Sequence, residues 1–111
     1  MTVNDLIDSG IFTLVNTGDF PETPISKIFC CDLLSIAMSR ASAGCAWVTV
    51  MGNMNTLAVA SLSDAACVIL AEGVSLDEIA QTKAVQQGIT VLKTDLPVFD
   101  AALLVHQKLN A

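Results

Sequence analysis

Charge is scarce in this chain. Of its 111 residues only 14% are charged, five basic against eleven acidic, for a formal net charge of −6. Such a balance repels a phosphate backbone and leaves no basic stripe to track one, so nucleic acid is not an expected partner. Long apolar runs are missing as well. The longest, such as Ala65 to Ala71, fall short of the roughly 18 to 20 residues that a bilayer core demands, so no membrane span is expected. The first residues, Met1-Thr2-Val3-Asn4-Asp5, place no basic region before an apolar block, which points to a cytoplasmic, reducing setting.

Catalytic and metal-binding signatures are equally thin. The cysteines are Cys30, Cys31, Cys45 and Cys67; none forms a C-x-x-C pair, so the spacing of a zinc or iron–sulfur site is lacking. Cys67 inside a strand and Cys30 at a strand end read as small buried hydrophobes, whereas Cys31 and Cys45, near element boundaries, are expected to be more exposed. His106 is the single histidine; it follows Leu103 by three positions and Phe99 by seven, on the core-side edge of the last helix. Packing or a surface position explains it better than a nucleophilic triad. With no second histidine, neither a metal site nor a cofactor is implied. Gly44, Gly52 and Gly73 stand alone, and none opens the G-x-x-x-x-G-K run of a phosphate-binding loop.

What the chain has is apolar surface. Hydrophobic residues make up 53% of it, enough to drive folding, and the length suits a single domain spanning residues 1–111. A short helix is expected over Thr2–Gly10, capped by Thr2 and stopped by Gly10. Strands follow at Ile11–Val15 and Ile25–Cys30, separated by Asn16-Thr17-Gly18-Asp19 and the prolines Pro21 and Pro24. Helical spacing begins at Asp32 and continues to Met38. Three more strand–helix units succeed it. Their strands are Trp47–Met51, Ala66–Leu70 and Ile89–Leu92; their helices are Met54–Leu62, Leu76–Gln87 and one running from Pro97 towards Leu109. Ser75 and Glu78 have capping-box spacing, Gly88 suits a helix C-cap, and Pro97 suits a first helical turn. Strands apolar on both faces and alternating with helices imply an α/β fold, a mostly parallel sheet flanked by helices in three layers.

The helix Met54–Leu62 is apolar in nearly every direction and therefore calls for burial all round. Either a second copy of the chain supplies the cover, giving a homodimer with Met51 and Met54 near the contact, or the chain's own N-terminal segment does. In open parallel sheets, ligands bind beyond the strand carboxyl ends, where loops and helix N-termini converge. Those ends carry Asp32; Gly52, Asn53, Asn55 and Thr56; Glu72; and Lys93 and Thr94. The Gly52–Thr56 loop is the best candidate for a polar ligand such as a small metabolite or nucleotide, because helix N-terminal amides accept anions. The competing reading is that Asn53 or Asn55, Ser75, and Thr94 or Asp95 only cap helices.

The motif order Ile28-Phe29-Cys30-Cys31-Asp32-Leu33-Leu34-Ser35, Ala46-Trp47-Val48-Thr49-Val50, Ala66-Cys67-Val68-Ile69-Leu70-Ala71-Glu72-Gly73 and Gly88-Ile89-Thr90-Val91-Leu92-Lys93-Thr94 resembles the DRTGG domain family. That small α/β module is similar to the N-terminal domain of HPr kinase/phosphorylase. The resemblance covers nearly the whole chain. One departure is clear: where the family carries its Asp-Arg-Thr-Gly-Gly-like segment, this chain reads Phe20-Pro21-Glu22-Thr23-Pro24-Ile25-Ser26. Family members stand alone or form modules of phosphotransacetylases and of pyrophosphatases with CBS domains, which implies a regulatory or ligand-sensing part without kinase activity. The expectation is thus a non-enzymatic regulatory, ligand-sensing or interaction domain. The alternatives are a pure protein–protein adaptor, or a small enzyme using Asp32 as base with Asn53, Asn55 and Thr94 orienting substrate.

Overall fold

The computed structural model describes all 111 residues. Helix α1 (Val3–Asp8) opens the chain, closed at its start by a reciprocal pair. Asp5 N–H donates to Thr2 Oγ1 at 3.1 Å, and Thr2 N–H donates to Asp5 Oδ2 at 2.9 Å. Those bonds hold the Asp5 carboxyl below its usual pKa, with the backbone bond from Thr2 the largest cause. Strands β1 (Thr13–Asn16), β2 (Lys27–Cys30), β3 (Cys45–Thr49), β4 (Cys67–Leu70) and β5 (Val91–Lys93) form one sheet in the order β1-β5-β4-β3-β2. Helices α2 (Leu34–Arg40), α3 (Met54–Leu62), α4 (Glu78–Gln87) and α5 (Val98–Leu109) connect and follow the parallel strands.

β2 through β5 are parallel and adjacent in chain order, and only β1 runs antiparallel, on β5. Each crossover from β2 to β5 moves one strand in the same direction, so α2, α3 and α4 share one face of the sheet. α1 and α5 cover the other. Two apolar clusters follow from this. One joins Trp47, Val68, Leu70 and Val91 to Ala37, Leu57, Ala60, Ala80 and Ala84 of the three-helix face. The second joins Val48, Ile69 and Leu92 to Val3, Leu6, Ala101 and Val105. β3 and β4 are buried along their whole lengths, as strands covered on both faces must be.

Several local expectations shift. β3 spans Cys45–Thr49 rather than Trp47–Met51, because Cys45 and Ala46 pair with Lys27 and Ile28 while Val50 turns its N–H to Asp32. β1 starts at Thr13, since Phe12 is drawn into the core beside α1. α4 begins two residues after the expected start, with Asp77 as its cap in place of Ser75: Asp77 Oδ1 accepts from Ala80 N–H at 2.7 Å. Buried Leu76 and the seating of the Ser75 carbonyl against Gly52 hold those residues out of the helix. Gly88 does end α4, at φ +64°. Pro97 is the N-cap of α5 and lies just ahead of its first turn.

Helix α3 is not covered all round by its own chain. Thr56, Leu57, Val59 and Ala60 are buried, but Met54 is 48% exposed and Leu62 77%. The N-terminal segment cannot cover it, because α1 packs on the opposite face. The cysteines also depart from expectation: Cys30 is exposed and Cys45 buried. Cys30 lies on an edge strand with no neighbour beyond it, while Cys45 lies at the start of a central strand. His106 faces solvent rather than the core, with Asn110 Nδ2 3.4 Å from its Nδ1.

Candidate functional site

Four parallel strands in sequence order bring the loops after β2, β3, β4 and β5 to one edge of the sheet. All eight expected ligand-binding residues stand on this carboxyl-end rim, but not in one cluster. The end strands β2 and β5 are three strand spacings apart, about 14 Å. Asp32 and Thr94 therefore occupy opposite ends of the rim.

Each segment is tied to its neighbour. Asp32 Oδ1 accepts from Thr49 Oγ1 at 2.7 Å and from Val50 N–H at 2.8 Å, so its carboxylate holds the exit of β2 against the exit of β3. A Cβ on Gly52 would lie 2.5 Å from the Ser75 carbonyl oxygen, which makes Gly52 the point where the β3–α3 and β4–α4 loops touch. Asn53 caps α3: its Oδ1 accepts from Asn55 N–H at 3.0 Å and Thr56 N–H at 3.3 Å. The amides that could greet an anion are thus already engaged. Asn55 is exposed on the first turn. Thr56 is fully buried, and its Oγ1 is the one buried side-chain polar atom without a hydrogen-bond partner.

Helices leave adjacent strands on opposite faces only after β4 and β5, so the switch point that favours ligand binding lies between those strands. The main chain closes it. Glu72 and Gly73 sit at φ +59° and +74° in a tight turn in which Val74 N–H donates to the Ala71 carbonyl. Gly73 N–H donates to the Thr94 carbonyl at 3.0 Å, and Glu72 N–H to the Leu96 carbonyl at 2.8 Å. Thr94 Oγ1 accepts from Leu96 N–H at 3.2 Å. The Glu72 side chain is exposed, and Lys93, the last residue of β5, is half-buried. Thr94 and Glu72 are the expected pair that the fold does bring together.

No hollow opens on this rim. The concavities lie elsewhere, and one is at the opposite end of the sheet. It is a cleft of about 300 Å³ lined by Phe20, Thr23, Ser61, Asp64, Gln87 and Thr90 among others. The loop after β1 forms one wall, anchored by Gly18 N–H donating to Thr90 Oγ1 at 2.9 Å and Asp19 N–H donating to the Gly88 carbonyl at 3.0 Å. In the sequence, Phe20 and Thr23 stand out only as part of the segment that departs from the DRTGG motif, and Asn16-Thr17-Gly18-Asp19 reads as a turn; nothing marks either as the wall of a cleft. No group of three or more His, Cys, Asp or Glu side chains is arranged to hold a metal ion.

No family model and no curated protein matches the sequence. The fold has a solved counterpart. A crystal structure of the CBS and DRTGG domains of the regulatory region of Clostridium perfringens pyrophosphatase, complexed with the activator diadenosine tetraphosphate, superposes with a TM-score of 0.71 at 16% identity. The match covers 94% of this chain and 45% of that one. The fold is therefore related to one held in that CBS and DRTGG region. The present chain spans less than half of its neighbour's length. No helix is long and apolar enough to cross a membrane.

Proposed function

We propose that residues 1–111 form a DRTGG-type regulatory domain, cytoplasmic and non-enzymatic, that senses a small polar metabolite or nucleotide at the strand carboxyl-end rim. One observation carries this reading: nearly the whole chain adopts a fold found in a regulatory region that binds a nucleotide activator. Because no hollow opens on this rim, the ligand in this reading lies across its surface, over Glu72 and Thr94 at the switch point, with Lys93 beside them as the nearest cation on β5. Gly52, Asn53 and Asn55 continue that face along the rim, while buried Thr56 and the strand-tying Asp32 support it from beneath. Asp32 is poorly suited to act as a base, since its Oδ1 already accepts two hydrogen bonds that join β2 to β3.

A thermal-shift titration with diadenosine tetraphosphate, ATP and AMP tests this reading, because a ligand that binds only the folded state raises its melting temperature. At a hundredfold excess over Kd the expected gain is about 2.7 kcal/mol. Lys93→Ala and Thr94→Ala are expected to abolish the shift. A shift that survives both substitutions but vanishes in Asp64→Ala would move the site to the cleft at the other end. No shift with any of the three nucleotides would reject nucleotide sensing.

The exposure of Met54 and Leu62 on α3, with Ile36 and Met38 on neighbouring α2, favours a second element of the proposal: two copies pair through the α3 face. Sedimentation at micromolar concentration tests it, and a clean monomer rejects it.

A further inference from the structure

The connection from β1 to β2 is a strap across one end of the sheet. It leaves β1 beside the start of β5, passes the amino ends of β4 and β3, and enters β2 at the far edge. Both of its ends are pinned. Gly18 and Asp19 bond to Thr90 and Gly88, while Ser26 N–H donates to the Gly44 carbonyl at 2.8 Å and Ser26 Oγ to the Ala43 carbonyl at 2.9 Å. Helix α1 holds the middle, where Asn4 N–H donates to the Pro21 carbonyl at 2.8 Å and Val3 N–H to the Thr23 carbonyl at 3.0 Å. The facing wall is the α3–β4 turn. There Asp64 takes a left-handed backbone at φ +55°, and its carbonyl accepts from Gly44 N–H at 2.8 Å. Main-chain bonds thus shape the cleft of about 300 Å³ between strap and turn, so a ligand need not order it.

The polar groups of this cleft are free where those of the rim are committed. On the rim, Asp32, Asn53 and Thr94 each accept hydrogen bonds through their side chains. Thr23, Ser61, Asp64 and Gln87 line the cleft, and none of their side chains is engaged within the chain. Charge there has one sign. Asp64 is the only charged residue in the lining, and Lys83, the one cation on α4, is not part of it. The strap adds the Asp19 carboxylate, which lies against Gly88 of the lining, and Glu22 between Phe20 and Thr23.

A phosphate or carboxylate would meet repulsion here and no compensating cation. An ammonium group meets a carboxylate, hydroxyl and amide acceptors, and the ring of Phe20, which lines the cleft and is 74% exposed. The volume lies at the lower end of small-molecule sites, which favours a short ligand. We infer that the amino-end cleft binds a short aliphatic primary amine, its ammonium held by Asp64 and its carbon chain lying against Ala65 and Ala66.

An NMR titration of the intact chain with 1,4-diaminobutane, read at the backbone amides, measures affinity and location together. Succinate, of equal carbon count and opposite charge, is the control. The diamine is expected to move the Asp64, Ala65 and Gly88 resonances to saturation, and succinate to leave them in place. Asp64→Asn keeps a side chain that tolerates the left-handed backbone and is expected to weaken binding about tenfold. Phe20→Ala, at an exposed position, is expected to weaken it about threefold. Asp95→Asn, an exposed carboxylate at the other end of the sheet, is expected to leave the affinity unchanged. Equal losses in Asp64→Asn and Asp95→Asn would reduce the effect to attraction by net charge and overturn the inference. So would matching shifts with succinate, shifts confined to the rim, or no saturable shift at millimolar diamine. Failure of nucleotides to bind the rim would leave this result untouched.

Discussion

The two ends of the parallel sheet are built on opposite plans. At the carboxyl end, loops from different strands are hydrogen-bonded to one another: Asp32 to Thr49 and Val50, and Gly73 to Thr94, with Gly52 pressed on Ser75. The space between them is filled by main chain. At the amino end, the Thr17–Thr23 loop is pinned to the α4–β5 turn and stands away from α3, leaving the cleft beside Ser61 and Asp64. Topology ranks one end as the place for a ligand, while loop-to-loop contacts decide where there is room for one.

The largest effects should come from glycines at the contact points. Gly52→Ala places a Cβ 2.5 Å from the Ser75 carbonyl oxygen, and a loss of about 2–3 kcal/mol is expected in urea unfolding. Gly18→Ala, whose Cβ would strike the Gly88 carbonyl, is expected to cost as much. A tolerated Gly52→Ala beside a damaging Gly18→Ala would mean that the rim is adaptable and only the amino end is rigid.

Asp32→Ala comes next. It removes the acceptor for Val50 N–H and for the hydroxyl of fully buried Thr49, and should destabilise by about 1–2 kcal/mol. Asp32→Asn, which keeps an acceptor oxygen, should cost less. Denaturation curves that coincide with the unaltered protein for both variants would show that the carboxylate does not hold the rim together.

At neutral pH the smallest effect concerns the thiols, which divide between the same two ends. Cys30 and Cys31 stand where β2 reaches the rim, whereas Cys45 and Cys67 are buried at the amino ends of β3 and β4. Burial, and then the nearby Cys45, push the Cys67 thiol up to about 12 from an ordinary 9.0. Below pH 9 the folded and unfolded states both keep this proton, so it contributes no pH dependence. Between pH 9 and about 12 only the unfolded state loses it, so stability falls as pH rises, by at most about 1.4 kcal/mol per unit. Cys67→Ala should flatten that alkaline slope. In the native protein at neutral pH, a thiol reagent should modify Cys30 and leave Cys67 untouched; rapid labelling of Cys67 would show that the amino end opens.

Much of this architecture was legible in advance, and particular residues show why. Val68, Ile69 and Leu70 lack the alternation of a half-exposed strand, and a strand apolar on both faces has to sit inside a layered parallel sheet. Thr2 with Asp5 and Gly88 after Gln87 mark helix ends through bonds spanning only a few residues. Asn53 was readable as a cap for the same reason. The Asp32 bonds to Thr49 and Val50 were not, because those groups are 17 and 18 positions away. Nor could spacing foretell that Ser75 would yield the capping role to Asp77, a choice made by the contact of its carbonyl with Gly52.

Local pattern alone thus determined which segments are strands and helices and that four strand–helix steps would run parallel, since hydrophobic period and capping chemistry act within a few residues. Tertiary structure alone decided that the rim would be closed and the amino end open, and which cysteines would meet solvent. Those outcomes depend on contacts such as Gly18 to Thr90, 72 positions apart, whose formation depends on how the layers pack and not on any repeat in the chain.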